Sequence, residues 1–209
     1  MRFCLERQRE SDPKYFLSLR GSEEAWHLDA CHGFAERLGG FIAQPANAAY
    51  AQRFNQTLHR EVLDAKFGLD AYVAAYVALR EHLGAALLEA SFAKTREPAM
   101  LQALELMLRD KRRHAQFGWL YLAERKLDAG EVAARATQML ERFYGSGLMV
   151  PGFARGVAAD VAQAIEAAAR SGLGFASFAD QHAALQRALE EGRERLSAFG
   201  VDPSGLKLP

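Results

Sequence analysis

Between residues 69 and 92 the apolar side chains Tyr72, Tyr76, Leu79, Leu83, Ala86 and Ala90 recur at helical spacing. Val77, Leu88 and Phe92 fill the other sides, which predicts the most buried helix of the domain. A short turn at 94–97 leads to Pro98, well suited to a first helical turn, and a second helix is expected from there to about Lys126. A turn this short makes the two helices antiparallel neighbours. Elsewhere the pattern predicts helices over about 22–38, capped by Ser22 and stopped by Gly39-Gly40, and over about 47–66, ending near Gly68. Further helices are expected over about 131–144, 157–170 and 178–199, the last opened by the capping box Ser177-Phe178-Ala179-Asp180. Residues 1–20 read as an irregular or briefly helical arm, 145–152 as a loop and 200–209 as a tail.

No stretch alternates with period two, and the prolines at 13, 45, 98, 151, 203 and 209 leave long intervals free of helix breakers. Alanine, the best helix former, makes up about 19% of the chain. The expectation is an all-α antiparallel helical bundle with additional short helices, one domain over 1–209. Lys+Arg and Asp+Glu both number 26, so the charge balance offers no case for nucleic acid or an anionic membrane surface. No apolar run approaches a bilayer span, and the charged start Met1-Arg2-Phe3-Cys4 does not read as a signal peptide. Cys4 and Cys31 are too few for a disulfide scaffold, so a reduced, cytoplasmic location is expected.

Candidate chemistry concentrates on the helix after Pro98. Phosphate-cradling glycine loops, G-x-S-x-G, H-E-x-x-H and C-x-x-C are all absent from the sequence. On a helical wheel Leu101, Leu104, Leu108, Ala115, Trp119 and Leu122 define one apolar arc; Lys111 falls in its middle and His114 at its edge. A lysine centred on a core-facing stripe needs a partner, because an unpaired buried ammonium is costly. Antiparallel register puts Lys111 level with Arg80, Glu81 and His82, with Glu89 two turns nearer the loop. On a wheel of its own helix Glu81 points away from the Tyr72/Tyr76/Leu79 arc, so its facing stays open. The plain reading of His114 is a helical histidine bonded to a neighbour; the sharper one is a metal ligand or its vestige. Tyr72, Tyr76, Trp119 and Tyr121 read as packing, Arg109, Arg112 and Arg113 as a solvated edge, Cys31 as structural, and His182 as a core-edge histidine.

The run Asp110-Lys111-Arg112-Arg113-His114-Ala115-Gln116-Phe117-Gly118-Trp119 resembles the D-E-x-R-H-A-x-x-G-W segment of ferritin-like proteins, the superfamily of the ribonucleotide reductase small subunit and many diiron oxygenases. The resemblance covers about residues 59–127. It implies a ferritin-like bundle in which a Glu on one helix and a Glu-x-x-His on the next, repeated on a second pair, hold two irons. Glu81 stands at the expected interval before the motif, but Lys111 occupies the ligand position and only His114 of the Glu-x-x-His survives. No second Glu-x-x-His is expected to complete the set; Glu141, Glu166 and His182 have no partner at the right offset. The pattern is similar to the ligand-depleted, non-catalytic β subunits of bacterial multicomponent monooxygenases, which are longer chains.

The resemblance therefore implies an incomplete diiron site with vestigial positions Glu81, Glu89, Lys111 and His114, no bound cofactor, and a structural or non-catalytic role beside a diiron-type oxygenase. The expected partners are a second copy or a catalytic ferritin-like subunit, docking through an exposed patch over 143–153. The alternative is a divergent diiron oxidase or oxygenase in its own right, holding iron; a metal-free catalyst or small-ligand binder in the bundle core is a third, with no specific residue behind it.

Overall fold

The computed structural model describes residues 7–40, 68–145 and 159–208. The described residues are helical, with turns and no strand. The chain divides into two compact units, Met1–Leu69 and Asp70–Pro209. None of the described helices is long and apolar enough to cross a membrane. The helix expected over 47–66 and most of the 145–152 loop lie outside the described residues.

The first unit contains α1, Ser11–Arg37. It begins eleven residues before the expected Ser22 cap, and the reason is Pro13. Pro13, within the stretch expected to be irregular or briefly helical, sits in the first turn, where a missing N–H removes no intrahelical bond.

In the second unit, α2 covers 69–94 in three stretches: α-helical Leu69–Tyr72, a π-helical segment Val73–Leu79, and α-helical Arg80–Lys94. The π segment is buried along its whole length. After the turn, Glu97 caps α3 (Pro98–Ala123) by accepting a hydrogen bond from the Met100 amide at 2.6 Å, with Pro98 at the first position. α3 returns antiparallel along α2, as expected: the Tyr121 hydroxyl donates to Asp70 at 2.8 Å at the far end of the hairpin. At Gly118 the two backbones approach closely. A Cβ built there would lie 2.5 Å from the Ala78 nitrogen.

α4 (Ala129–Leu140) ends in a π-helical turn, Glu141–Gly145, and lies against the π segment of α2. Phe143 meets Tyr76 edge-on at 5.8 Å and carries the Arg80 guanidinium over its ring at 4.9 Å. Phe143 and Tyr144 are therefore core, and the docking patch expected over 143–153 is corrected at this end; its remainder lies outside the described residues. Continuing the last turn of α4 as a π turn rotates these two rings inward.

α5 (Ala159–Ser171) stops at Gly172, whose φ of +77° suits glycine and whose carbonyl accepts from the Arg96 amide at 2.9 Å. α6 (Phe178–Ala198) runs antiparallel to the second half of α2, with Gly192 against Leu79, Glu191 beside His82, and Asp180 paired to Lys94 at 3.2 Å. Its buried stripe comprises Ala184, Leu185, Ala188, Leu189, Gly192 and Leu196, and His182 lies on the stripe's outer flank, exposed rather than at the core edge. Burial of each such leucine contributes about 1.5–3 kcal/mol.

The expected capping box at α6 is present: Ser177 Oγ accepts from the Asp180 amide at 3.1 Å and donates to its carboxylate at 2.7 Å. The Ser177 hydroxyl and Lys94 hold the Asp180 carboxyl below its usual range. We expect Ser177→Ala to lower stability by about 1 kcal/mol in urea denaturation, with the m-value unchanged.

Candidate functional site

Glu81 is the most deeply buried acid among the described residues of the second unit, its side chain 1% exposed. It lies in the first turn of the α-helical part of α2, one residue beyond its start at Arg80 after the π segment. A π turn advances the chain by more residues per turn than an α turn, so a wheel drawn at 100° per residue misplaces everything beyond it. That is why Glu81 points inward although regular helical phase set it away from the tyrosine arc.

Three cationic or ionisable groups surround the carboxylate. Lys111 Nζ is 2.8 Å from Oε2, Arg80 Nη1 donates to Oε1 at 3.2 Å, and His114 Nδ1 is 3.7 Å from Oε2. The Lys111 side chain is 15% exposed and His114 is fully buried. Lys111 thus runs its stem along the core and meets Glu81 as a half-buried ion pair, the arrangement the hairpin register pointed to. Tyr144, also fully buried, lies within the fields of Arg80 and Glu81; burial pushes its phenol well above the ordinary value, so it stays neutral.

Glu89 does not join this group. It is exposed and paired with Arg112 at 2.6 Å, on the side of α2 that faces α6. Glu141 is exposed, and Glu166 accepts from the Phe178 amide at 3.1 Å. The arginine edge is ion-paired: Arg109 and Arg113 each reach the buried carboxylate of Asp110 at 3.2 Å. Tyr72 and Tyr76 stack at 4.8 Å and Trp119 is buried, in keeping with their reading as packing.

One candidate pair escaped the sequence reading. Glu24 and His27 form a Glu-x-x-His within α1, Nδ1 to Oε2 3.7 Å. The motif itself was the signal. The helix expected from Ser22 already contains both residues at i and i+3. With the helix begun at Ser11, they form an interior pair one turn apart.

At Lys111 the side chains around Glu81 depart from the donor set of a diiron centre. Such a centre draws on carboxylate oxygens and imidazole nitrogens, whereas Lys111 brings an ammonium with three donors and no lone pair to the carboxylate itself. Lys111 and Arg80 set two cationic side chains against the buried carboxylate.

His82, next along α2, has Nε2 3.2 Å from the Glu191 carboxylate and its ring edge-on to Trp119 at 6.2 Å. Burial lowers its pKa below the usual imidazole value; Glu191 opposes that shift and Arg195 adds to it. Above about pH 6.5 the imidazole is neutral in both folded and unfolded chains; below it the unfolded chain binds the proton first, so stability falls with pH. The stability advantage of the wild type over His82→Gln is expected to shrink between about pH 7.5 and about pH 5.5 in urea titrations. A constant difference would mean that His82 does not titrate out of step with the unfolded state.

The chain matches no protein-family model, no curated protein and no solved structure.

Proposed function

We propose that this protein is a metal-depleted, ferritin-like bundle acting as a structural or non-catalytic subunit beside a diiron-type oxygenase or oxidase. The observation that carries the reading is the 2.8 Å contact between Lys111 Nζ and Glu81 Oε2 on a carboxylate 1% exposed. In a metal-binding relative this carboxylate would face cations; here an ammonium, with Arg80 beside it, supplies the compensating charge. A bundle built this way stays folded without metal, and its remaining use is to pair with a second copy or a catalytic subunit.

A second reading, a divergent metal-dependent oxidase, is favoured by the Glu24-x-x-His27 pair within α1 taken by itself, one carboxylate and one imidazole a helical turn apart. Metal analysis separates the two. Protein purified from iron- and manganese-supplemented cells is expected to carry no stoichiometric metal, since a hard carboxylate–imidazole site would retain it. Native affinity capture is expected to recover a chain with two intact Glu-x-x-His motifs. Stoichiometric iron or manganese in the wild type would overturn the subunit reading and establish the oxidase alternative as the one to pursue.

A further inference from the structure

A cavity of about 630 Å³ opens between α2, α3 and α6, away from the Lys111 pair. Its lining comes from one stripe on each helix: 82–93 on α2, 112–119 on α3 and 184–195 on α6. Nearly half of the lining side chains are alanine. Protein interiors are close-packed, and longer side chains on these facing stripes would fill the gap, so a space of this size is a property of the residues chosen. Its volume falls within the range of small-molecule sites.

The charges at the wall are unequal. Arg112 is satisfied by Glu89, its Nη2 2.6 Å from the carboxylate, and Glu191 faces His82 at 3.2 Å. Arg187 and Arg195, two turns apart on α6, have no carboxylate partner among the described residues. Arg195 instead lies over the ring of Trp119, 5.5 Å from its centroid. Trp119 is 7% exposed, and its indole Nε1 has no hydrogen-bond partner among the described residues. Three guanidiniums therefore meet two carboxylates around an alanine floor, in a chain whose formal net charge is zero.

We infer that this cavity binds a small amphipathic carboxylate, its apolar body on the alanine floor and the Trp119 face and its carboxylate on Arg187 and Arg195. A guanidinium matches a carboxylate in geometry and charge, and the alanines provide a surface that gains by losing water. A neutral ligand would leave the two arginines unanswered, and a cationic one would be repelled by them.

The test uses the full chain carrying Trp26→Phe, which removes the exposed tryptophan and leaves Trp119 as the sole indole reporter. Decanoate is the probe, with decan-1-ol and decyltrimethylammonium as the neutral and cationic counterparts. Titration with decanoate is expected to change the Trp119 emission saturably, with matching one-to-one calorimetry. The alcohol and the ammonium are expected to bind at least about tenfold more weakly, as loss of a charge-assisted bond requires. Arg187→Gln combined with Arg195→Gln is expected to lose about tenfold or more for decanoate while leaving decan-1-ol unchanged. Both arginines are exposed, so an unchanged melting temperature is expected to confirm that the variant is folded. Absence of a saturable signal, equal binding of the three probes, or an undiminished affinity in a folded double variant would each overturn the proposal.

Discussion

Lys111→Met is expected to destabilise the protein by about 3 kcal/mol, the lower end of the about 3–5 kcal/mol that breaking a buried pair costs. The substitution keeps the stem's bulk and deletes the ammonium, so little of the loss comes from a cavity. What remains is a carboxylate 1% exposed that has lost its 2.8 Å partner. Arg80 still donates to the other oxygen, which is the reason for the lower end of the range. An exposed pair would give about 0–1 kcal/mol. Glu81→Gln in the same chain removes the charge that needed answering, so the double variant is expected to recover much of the loss, with a coupling of about 1–3 kcal/mol in a double-mutant cycle. Urea denaturation of the four proteins measures it. An unchanged midpoint for Lys111→Met would make the lysine a solvated side chain and remove the main support for a metal-depleted site.

The larger effect is expected at Gly118, which no ion pair touches. A Cβ there would sit 2.5 Å from the Ala78 nitrogen, 2.6 Å from its Cα and 2.8 Å from the Val77 carbonyl carbon. Those neighbours are backbone atoms within the π segment, so no side chain can rotate aside. Alanine would gain about 1 kcal/mol in helix propensity over glycine. Separating α2 from α3 to make room would undo contacts along the hairpin, and overpacking costs about 1–3 kcal/mol even where side chains can yield. Gly118→Ala is therefore expected to lose at least about 3 kcal/mol net, and Gly118→Val to abolish cooperative folding. A melting temperature at or above the wild type for Gly118→Ala would mean that the helices do not cross this closely.

The hairpin was legible in the sequence because a short turn fixes antiparallel register without reference to helix phase. Lys111 could be set level with Glu81 by counting from the loop. The inward facing of Glu81 was not legible, because it depends on Val73–Leu79 being π-helical, and no residue type in that stretch announces the change. The same blind spot put Phe143 and Tyr144 on the surface, one residue pair into the π turn after α4. Glu89 was placed with the candidate ligands by spacing alone, although it pairs with Arg112 across the open side of the hairpin. The Glu24-x-x-His27 pair lies inside the helix expected over 22–38 as well as inside α1, so its spacing was legible in the sequence; only the helix start, where Pro13 fits a first turn, was misplaced.

The π segment also gives α2 two phases within one rod. Residues before it and residues after it obey different clocks, so a side chain at 72 and one at 81 cannot be related by any single helical period. A π turn is what a one-residue insertion leaves in an α-helix, and excising one of the seven residues would let the helix relax to a uniform winding. Everything downstream would keep its facing, because the wider winding has already absorbed the extra residue's turn. Winding all seven residues as α-helix would instead turn everything downstream by about a hundred degrees, swinging Glu81 off Lys111 and the alanine stripe of α2 out of the cavity. The carboxylate pair and the cavity are thus geared to the same few residues, and neither can be re-aimed without moving the other.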